Sequence, residues 1–167
     1  RRAIKLLTGL PNVSHRRFLA TALQNLASYD ENRNQIAAAR KGYQHAVDVF
    51  DGLLKDGVRA PRILSGAADC YNNFGLLEGR DGNSAKMRPL ILRSIELRKK
   101  TIKGYPHNVS QKIRLAGAYC NLGNVTRSDR RLEDALKHYD TGITIATKLV
   151  PGMTAKDSWS AHLRSVL

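Results

Sequence analysis

Asparagine recurs at a fixed interval in this chain: Asn25, Asn73 and Asn121 stand 48 residues apart. A side-chain amide carries two N–H donors and a carbonyl acceptor, so a row of amides can pair with the backbone of another chain. Each Asn is followed by an apolar residue and then a very small one, as Asn25-Leu26-Ala27, Asn73-Phe74-Gly75 and Asn121-Leu122-Gly123. This chemistry points to a binding surface rather than a catalytic pocket. The competing reading is structural, with the amides pairing to a neighbouring helix or capping a turn.

Residues for catalysis are hard to find. His15, His45, His107, His138 and His162 share no metal-ligand spacing, and Asp134 and His138, four residues apart, read as a surface pair on one helix. The chain has no Gly-rich phosphate loop, no paired-carboxylate motif and no serine nucleophile elbow. The expectation is therefore a non-enzymatic segment with no cofactor and no metal site. Cys70 and Cys120 form no CxxC pair and fall at non-equivalent places in the repeating unit. They read as half-buried free thiols in a reducing compartment rather than a disulfide or zinc site. No signal peptide and no spanning apolar run is visible, so a cytoplasmic location without membrane insertion is expected.

Charge offers a second surface. The 167 residues carry 28 Lys+Arg against 14 Asp+Glu, a formal net charge of +14. Between Arg80 and Arg114 the only acidic residues are Asp81 and Glu96. A basic face there, with Arg93, Arg98, Lys99, Lys100 and Lys103, is the alternative functional reading, a site for nucleic acid or another polyanion. Against it, Tyr105 is the only aromatic residue in that stretch. Surfaces that stack single strands use more. A solvated helix face explains the same charge.

The elements that must position these residues are helices. Phe18, Ala22, Leu23 and Leu26 recur at three- and four-residue steps, as do Ala39, Tyr43, Val47, Phe50 and Leu54. The 48-residue register extends well beyond the Asn residues. Leu19, Ala67 and Leu115 correspond, as do Ala39, Met87 and Ala135, then Tyr43, Ile91 and Tyr139. Self-similarity at a fixed period marks a repeat protein. Breakers at 30–34, 79–83 and 128–131 divide each unit into two helices, and Pro/Gly-containing turns separate the units. The spacing predicts helices at about 13–29, 35–55, 61–78, 84–103, 109–126 and 132–150, with another starting near Ala155. Asn12 and Asn108, two periods apart, read as helix N-caps.

The expected architecture is all-α, a single domain of tandem antiparallel helical hairpins. Its units run 13–60, 61–108 and 109–154, with 1–10 as the end of a preceding unit and 155–167 as the start of a further one. One hairpin cannot bury both of its apolar stripes, and stacking on neighbours does so. Apolar faces around Leu6, Leu7, Trp159 and Leu163 would then permit end-to-end self-association.

The third unit carries the clearest resemblance. Leu115-Ala116-Gly117-Ala118-Tyr119-Cys120-Asn121-Leu122-Gly123-Asn124, followed by Leu132-Glu133-Asp134-Ala135-Leu136-Lys137-His138-Tyr139, resembles a tetratricopeptide repeat (TPR). The usual unit has about 34 residues. The longer unit here is similar to those of kinesin light chains and of the C-terminal arrays of large bacterial Ser/Thr kinases. The resemblance implies a right-handed superhelix whose first helices line a concave groove for a peptide or partner segment. It also implies a scaffold within a larger signalling or regulatory protein, with any kinase or other catalytic domain elsewhere in the parent chain.

In the family, the residue two before the small one faces the groove. The resemblance thereby places Asn25, Asn73 and Asn121 there, and by spacing also Gln24, Ser28, Asn72, Leu76, Cys120, Asn124 and Arg127. Gln24, Asn72 and Cys120 occupy a row where a C-terminal carboxylate clamp would need Lys or Arg, which argues against such a clamp.

Overall fold

The structure, a computed structural model, describes residues 12–149. The expected ends at 1–10 and 155–167 lie outside them, as do Leu6, Leu7, Trp159 and Leu163, on which the end-to-end expectation rests. Six helices follow in order: α1 (Val13–Asn32), α2 (Ile36–Lys55), α3 (Pro61–Arg80), α4 (Ser84–Gly104), α5 (Val109–Ser128) and α6 (Leu132–Thr147). They pack as antiparallel hairpins α1–α2, α3–α4 and α5–α6, and each hairpin stacks on the next. The fold is the all-α array expected from the periodicity.

Local chemistry explains where the helices begin. Asn12 and Asn108 are N-caps: Ser14 N donates to Asn12 Oδ1 at 2.8 Å, and Gln111 N to Asn108 Oδ1 at 3.1 Å. Each satisfies a donor that the first turn leaves without a helical partner. Pro61 opens α3, where a missing N–H is least harmful.

The helices α1, α3 and α5 run two or three residues beyond their expected ends. Asp30, Glu31 and Asn32, read as breakers, continue α1, and the break comes at Asn34, with φ of 58°. The turn repeats with the sequence period. Gly82 and Arg130, at successive 48-residue steps, have φ of 76° and 60°. Around each, one amide bonds five residues back, as Gln35 N to Asp30 O, Asn83 N to Glu78 O and Arg131 N to Thr126 O. A second bonds three back, as Asn34 N to Glu31 O. This is the Schellman arrangement, which closes the carbonyl end of a helix and reverses the chain.

Small residues set the closeness of each hairpin. A Cβ on Gly123 would lie 2.4 Å from Tyr139 Cε1, and one on Gly75 would lie 2.8 Å from Ile91 Cδ1. Unit one has Ala27 at this position, and there the facing residue is Gly42. Tyr43 fills the gap in unit one, stacked on Phe74 with centroids 6.0 Å apart. In unit two the atypical Ser94 is buried, its hydroxyl donating to Ala68 O at 2.8 Å.

Two apolar clusters form the core. One runs from α1 to Leu97 of α4; the other gathers Met87, Ile91 and Ile95 with Leu115, Leu122 and Val125. Successive first helices, α1 to α3 and α3 to α5, touch each other, whereas successive second helices do not. In a stack of hairpins, the helices that touch their counterparts lie on the inner side of the curve. That places α1, α3 and α5 on the concave face.

Candidate protein-binding groove

A cavity of about 260 Å³ opens on the face of the first helices. Gln24 reaches it from α1, Asp69, Asn72 and Asn73 from α3, and Arg114, Gly117, Ala118 and Asn121 from α5. Three consecutive units thus contribute to one polar hollow. The second helix α4 adds Arg98, which passes between α3 and α5 to reach it.

Arg98 organises the floor. It is only 2% exposed. Its Nη2 donates to Asp69 Oδ1 at 2.7 Å and its Nη1 to Gln111 Oε1 at 3.2 Å. Its Nε is shut from solvent and has no acceptor among the described residues. Arg114 Nη1 approaches the same Asp69 oxygen at 3.2 Å. Burial pulls the Arg98 pKa down, Asp69 opposes that, and the facing Arg114 adds to it.

The asparagines do not behave as one ladder. Asn121 Nδ2 donates to Asn72 Oδ1 at 3.0 Å, tying α5 to α3, while Asn72 lies 3.5 Å from Asn73 Oδ1. Asn73 and Asn121 line the cavity; Asn25 is exposed on α1 and does not.

Of the other residues placed in the groove by spacing, Gln24 and Asn72 line the cavity, and the rest have different surroundings. Ser28 is half-buried on α1, on the side of Tyr43. Leu76 packs against the second apolar cluster. Cys120 faces Gly142 of α6, whose Cβ would lie 3.1 Å from its sulfur. Asn124 Oδ1 accepts from the Tyr139 hydroxyl at 2.8 Å and so braces its own hairpin. Arg127 is half-buried in the last turn of α5.

Asp69 and Arg114 were not among the expected groove residues. Their signal was present as helical spacing: 69, 72 and 73, and 114, 117, 118 and 121, each fall on one face. Arg98 had no such signal, because it arrives from a second helix.

Arg98 also corrects the basic surface, since it is buried on Asp69 and is not part of that face. Arg93 and Lys100 both pair with Glu96, at 2.6 Å each. Lys99 lies over the Tyr119 ring, 5.5 Å from its centroid, and Lys103 is exposed. Elsewhere in the basic stretch, Arg80 pairs with Glu31 and Arg88 with Asp129. Carboxylates from neighbouring helices therefore neutralise much of a charge that looks unopposed along the chain.

Cys70 and Cys120 are free thiols. Burial pushes the Cys70 thiol up to about 12, and that of Cys120 in the same direction. Among the described residues, no cluster of His, Cys, Asp or Glu could hold a metal, and no helix is long and apolar enough to cross a membrane.

Residues 115–151 match the family model described as tetratricopeptide repeat. No curated protein matches the sequence. The solved structure of BtubC (BKLC) from P. vanneervenii is similar, with a TM-score of 0.67 at 20% identity, over 87% of this chain and 56% of that one. That of MamA aligns at 18% identity over 87% of this chain and 85% of that one, with a TM-score of 0.32. The chain spans little more than half the length of the BtubC chain. A tetratricopeptide repeat array is a scaffold for protein–protein interaction. Residues 115–151 thus carry the tetratricopeptide repeat pattern, and the six helices share their fold with the BtubC structure.

Proposed function

We propose that this array holds a segment of a partner protein along the face of α1, α3 and α5, as the recruiting arm of a larger regulatory protein. The observation that carries the reading is the polar hollow to which three consecutive units contribute amide side chains. Gln24, Asn73 and the second N–H of Asn121 offer donors and acceptors at the rim. An extended backbone needs such groups once it leaves water. Amides pair with main chain whatever its side chains, so selectivity falls to the groups at the cavity floor.

The test is a pull-down from source-cell lysate, with and without nuclease, comparing wild type with a Gln24→Ala/Asn73→Ala variant of unchanged helicity. A protein retained by wild type and lost by the variant, and then bound directly when purified, supports the reading. Equal retention by both removes the groove from the function. Retention that nuclease abolishes transfers the function to nucleic acid.

A further inference from the structure

We infer that the Asp69–Arg98–Arg114 cluster is a receptor for one carboxylate, that of an acidic side chain on the partner segment. The inference rests on the groove reading above and names what the groove selects.

The cluster is a local departure from the repeat. One period earlier, Arg98, Gln111 and Arg114 correspond to Phe50, Ile63 and Gly66. There the three make ordinary core: Phe50 and Ile63 are buried, and the Phe50 ring lies against Gly66. At the next junction the same positions hold two guanidiniums and an amide. Thr21 becomes Asp69 in the same register. Apolar packing was available to this fold at this place, and it is the more stabilising choice, because a buried ion pair rarely repays its desolvation. A polar cluster at one junction, opening into a cavity, is therefore explained by a ligand rather than by stability.

Charge identifies the ligand. Two guanidiniums share one carboxylate, leaving the cluster with one positive charge in excess. Both arginines converge on Asp69 Oδ1, and their excess positive charge repels a partner's Lys or Arg. A doubly charged phosphate would sit beside Asp69 and be repelled by it. A single carboxylate balances the excess. Arg98 is held fast from below, whereas Arg114 is half-exposed and approaches Asp69 at only 3.2 Å. It can turn its fork to an incoming carboxylate in a two-bond geometry. Asn73 from α3 and Asn121 from α5 line the same cavity and offer N–H groups to the remaining lone pairs.

The probe is a library of random twelve-residue peptides, half amidated at the C-terminus and half with a free carboxylate. It is selected on the wild-type protein, on Arg114→Gln and on Arg114→Lys. Arg114 is chosen because the buried Arg98–Asp69 pair stays intact when it is replaced. Asp or Glu should be enriched about tenfold at one position of amidated peptides, the factor expected of one charge-assisted hydrogen bond. The enrichment should vanish with Arg114→Gln and fall partway with Arg114→Lys, while enrichment at other positions persists. Peptides selected without an acidic preference, or with one unchanged in Arg114→Gln, overturn the inference and leave the groove reading standing. A preference confined to free C-termini overturns the side-chain source. Selection of no peptide at all defeats the groove reading, and the inference with it.

Discussion

Asn121 donates its side-chain amide to Asn72, 3.0 Å away on the neighbouring first helix. The partner stands one residue before Asn73, the register equivalent of Asn121. The repeated amide is therefore bonded across units at one junction, while Asn25 at the other end is solvent-exposed. Replacing Asn121 or Asn72 with Ala should each lower stability by about 1 kcal/mol. The double replacement should lose less than the sum, because both remove the same bond. Asn25→Ala should change stability by less than about 0.5 kcal/mol. Urea midpoints of the four proteins decide this, and equal losses at Asn25 and Asn121 would contradict the assignment.

The turn within each unit offers a gain in stability. Arg130 holds φ of 60°, where Gly82 stands one unit earlier. A side chain in that region is strained by roughly 1–2 kcal/mol. Arg130→Gly should raise the melting temperature, and Gly82→Ala should lower it by a comparable free energy. Opposite signs for the two changes are the signature to look for in thermal melts.

Hairpin closeness predicts a steric effect. In Gly123→Ala the new methyl meets the Tyr139 ring, and overpacking of this kind lowers stability by about 1–3 kcal/mol. Combining it with Tyr139→Leu should recover part of the loss, since a smaller side chain frees the space. Chemical denaturation of the two single variants and the double variant tests it.

One register position carries two arginines with different consequences. Arg40 bonds Glu78 at 2.5 Å and also Asp81, whereas Arg88, one unit on, bonds Thr126 and Asp129. Glu78 is only 1% exposed. Arg40→Ala therefore strands a buried carboxylate, which should destabilise by about 3 kcal/mol or more. Arg88→Ala leaves a neutral hydroxyl and a solvated Asp129 and should remove only about 1 kcal/mol. Similar losses from both would show that Glu78 finds another partner.

The thiols give a pH test. Cys70 rises in the fold from its ordinary value of 9.0 to about 12, through burial. Below pH 9 both folded and unfolded states hold the proton, so the stability attached to this group is complete. Between 9 and 12 the unfolded chain ionises first, and stability should fall as pH rises. At pH 8, alkylation followed by mass spectrometry should label half-buried Cys120 well before buried Cys70. Labelling at equal rates in the folded protein would refute the burial of Cys70.

The sequence by itself determined the fold class, the hairpin count among the described residues and the N-caps. These depend on local periodicity and on short-range hydrogen bonds, such as Ser14 N to Asn12 Oδ1, and both are written in neighbouring residues. Its 48-residue register also aligned Gly75 with Gly123 and Ile91 with Tyr139, while packing decided that each glycine lies against the larger side chain of its own hairpin. What the register could not reveal was which residues of different units meet. Arg98 looked like surface charge because its apolar counterpart Phe50 and its partner Asp69 lie far from it along the chain. Glu31 and Asp129 likewise neutralise Arg80 and Arg88 across helices. Cys120 and Asn124 share the helix of Asn121 but turn toward α6, because a helix presents successive residues about 100° apart. Only the stacking of α3, α4 and α5 brought one carboxylate between two guanidiniums and opened a cavity above them. Charge, burial and reach at that point are properties of the packed array, not of any one of its repeats.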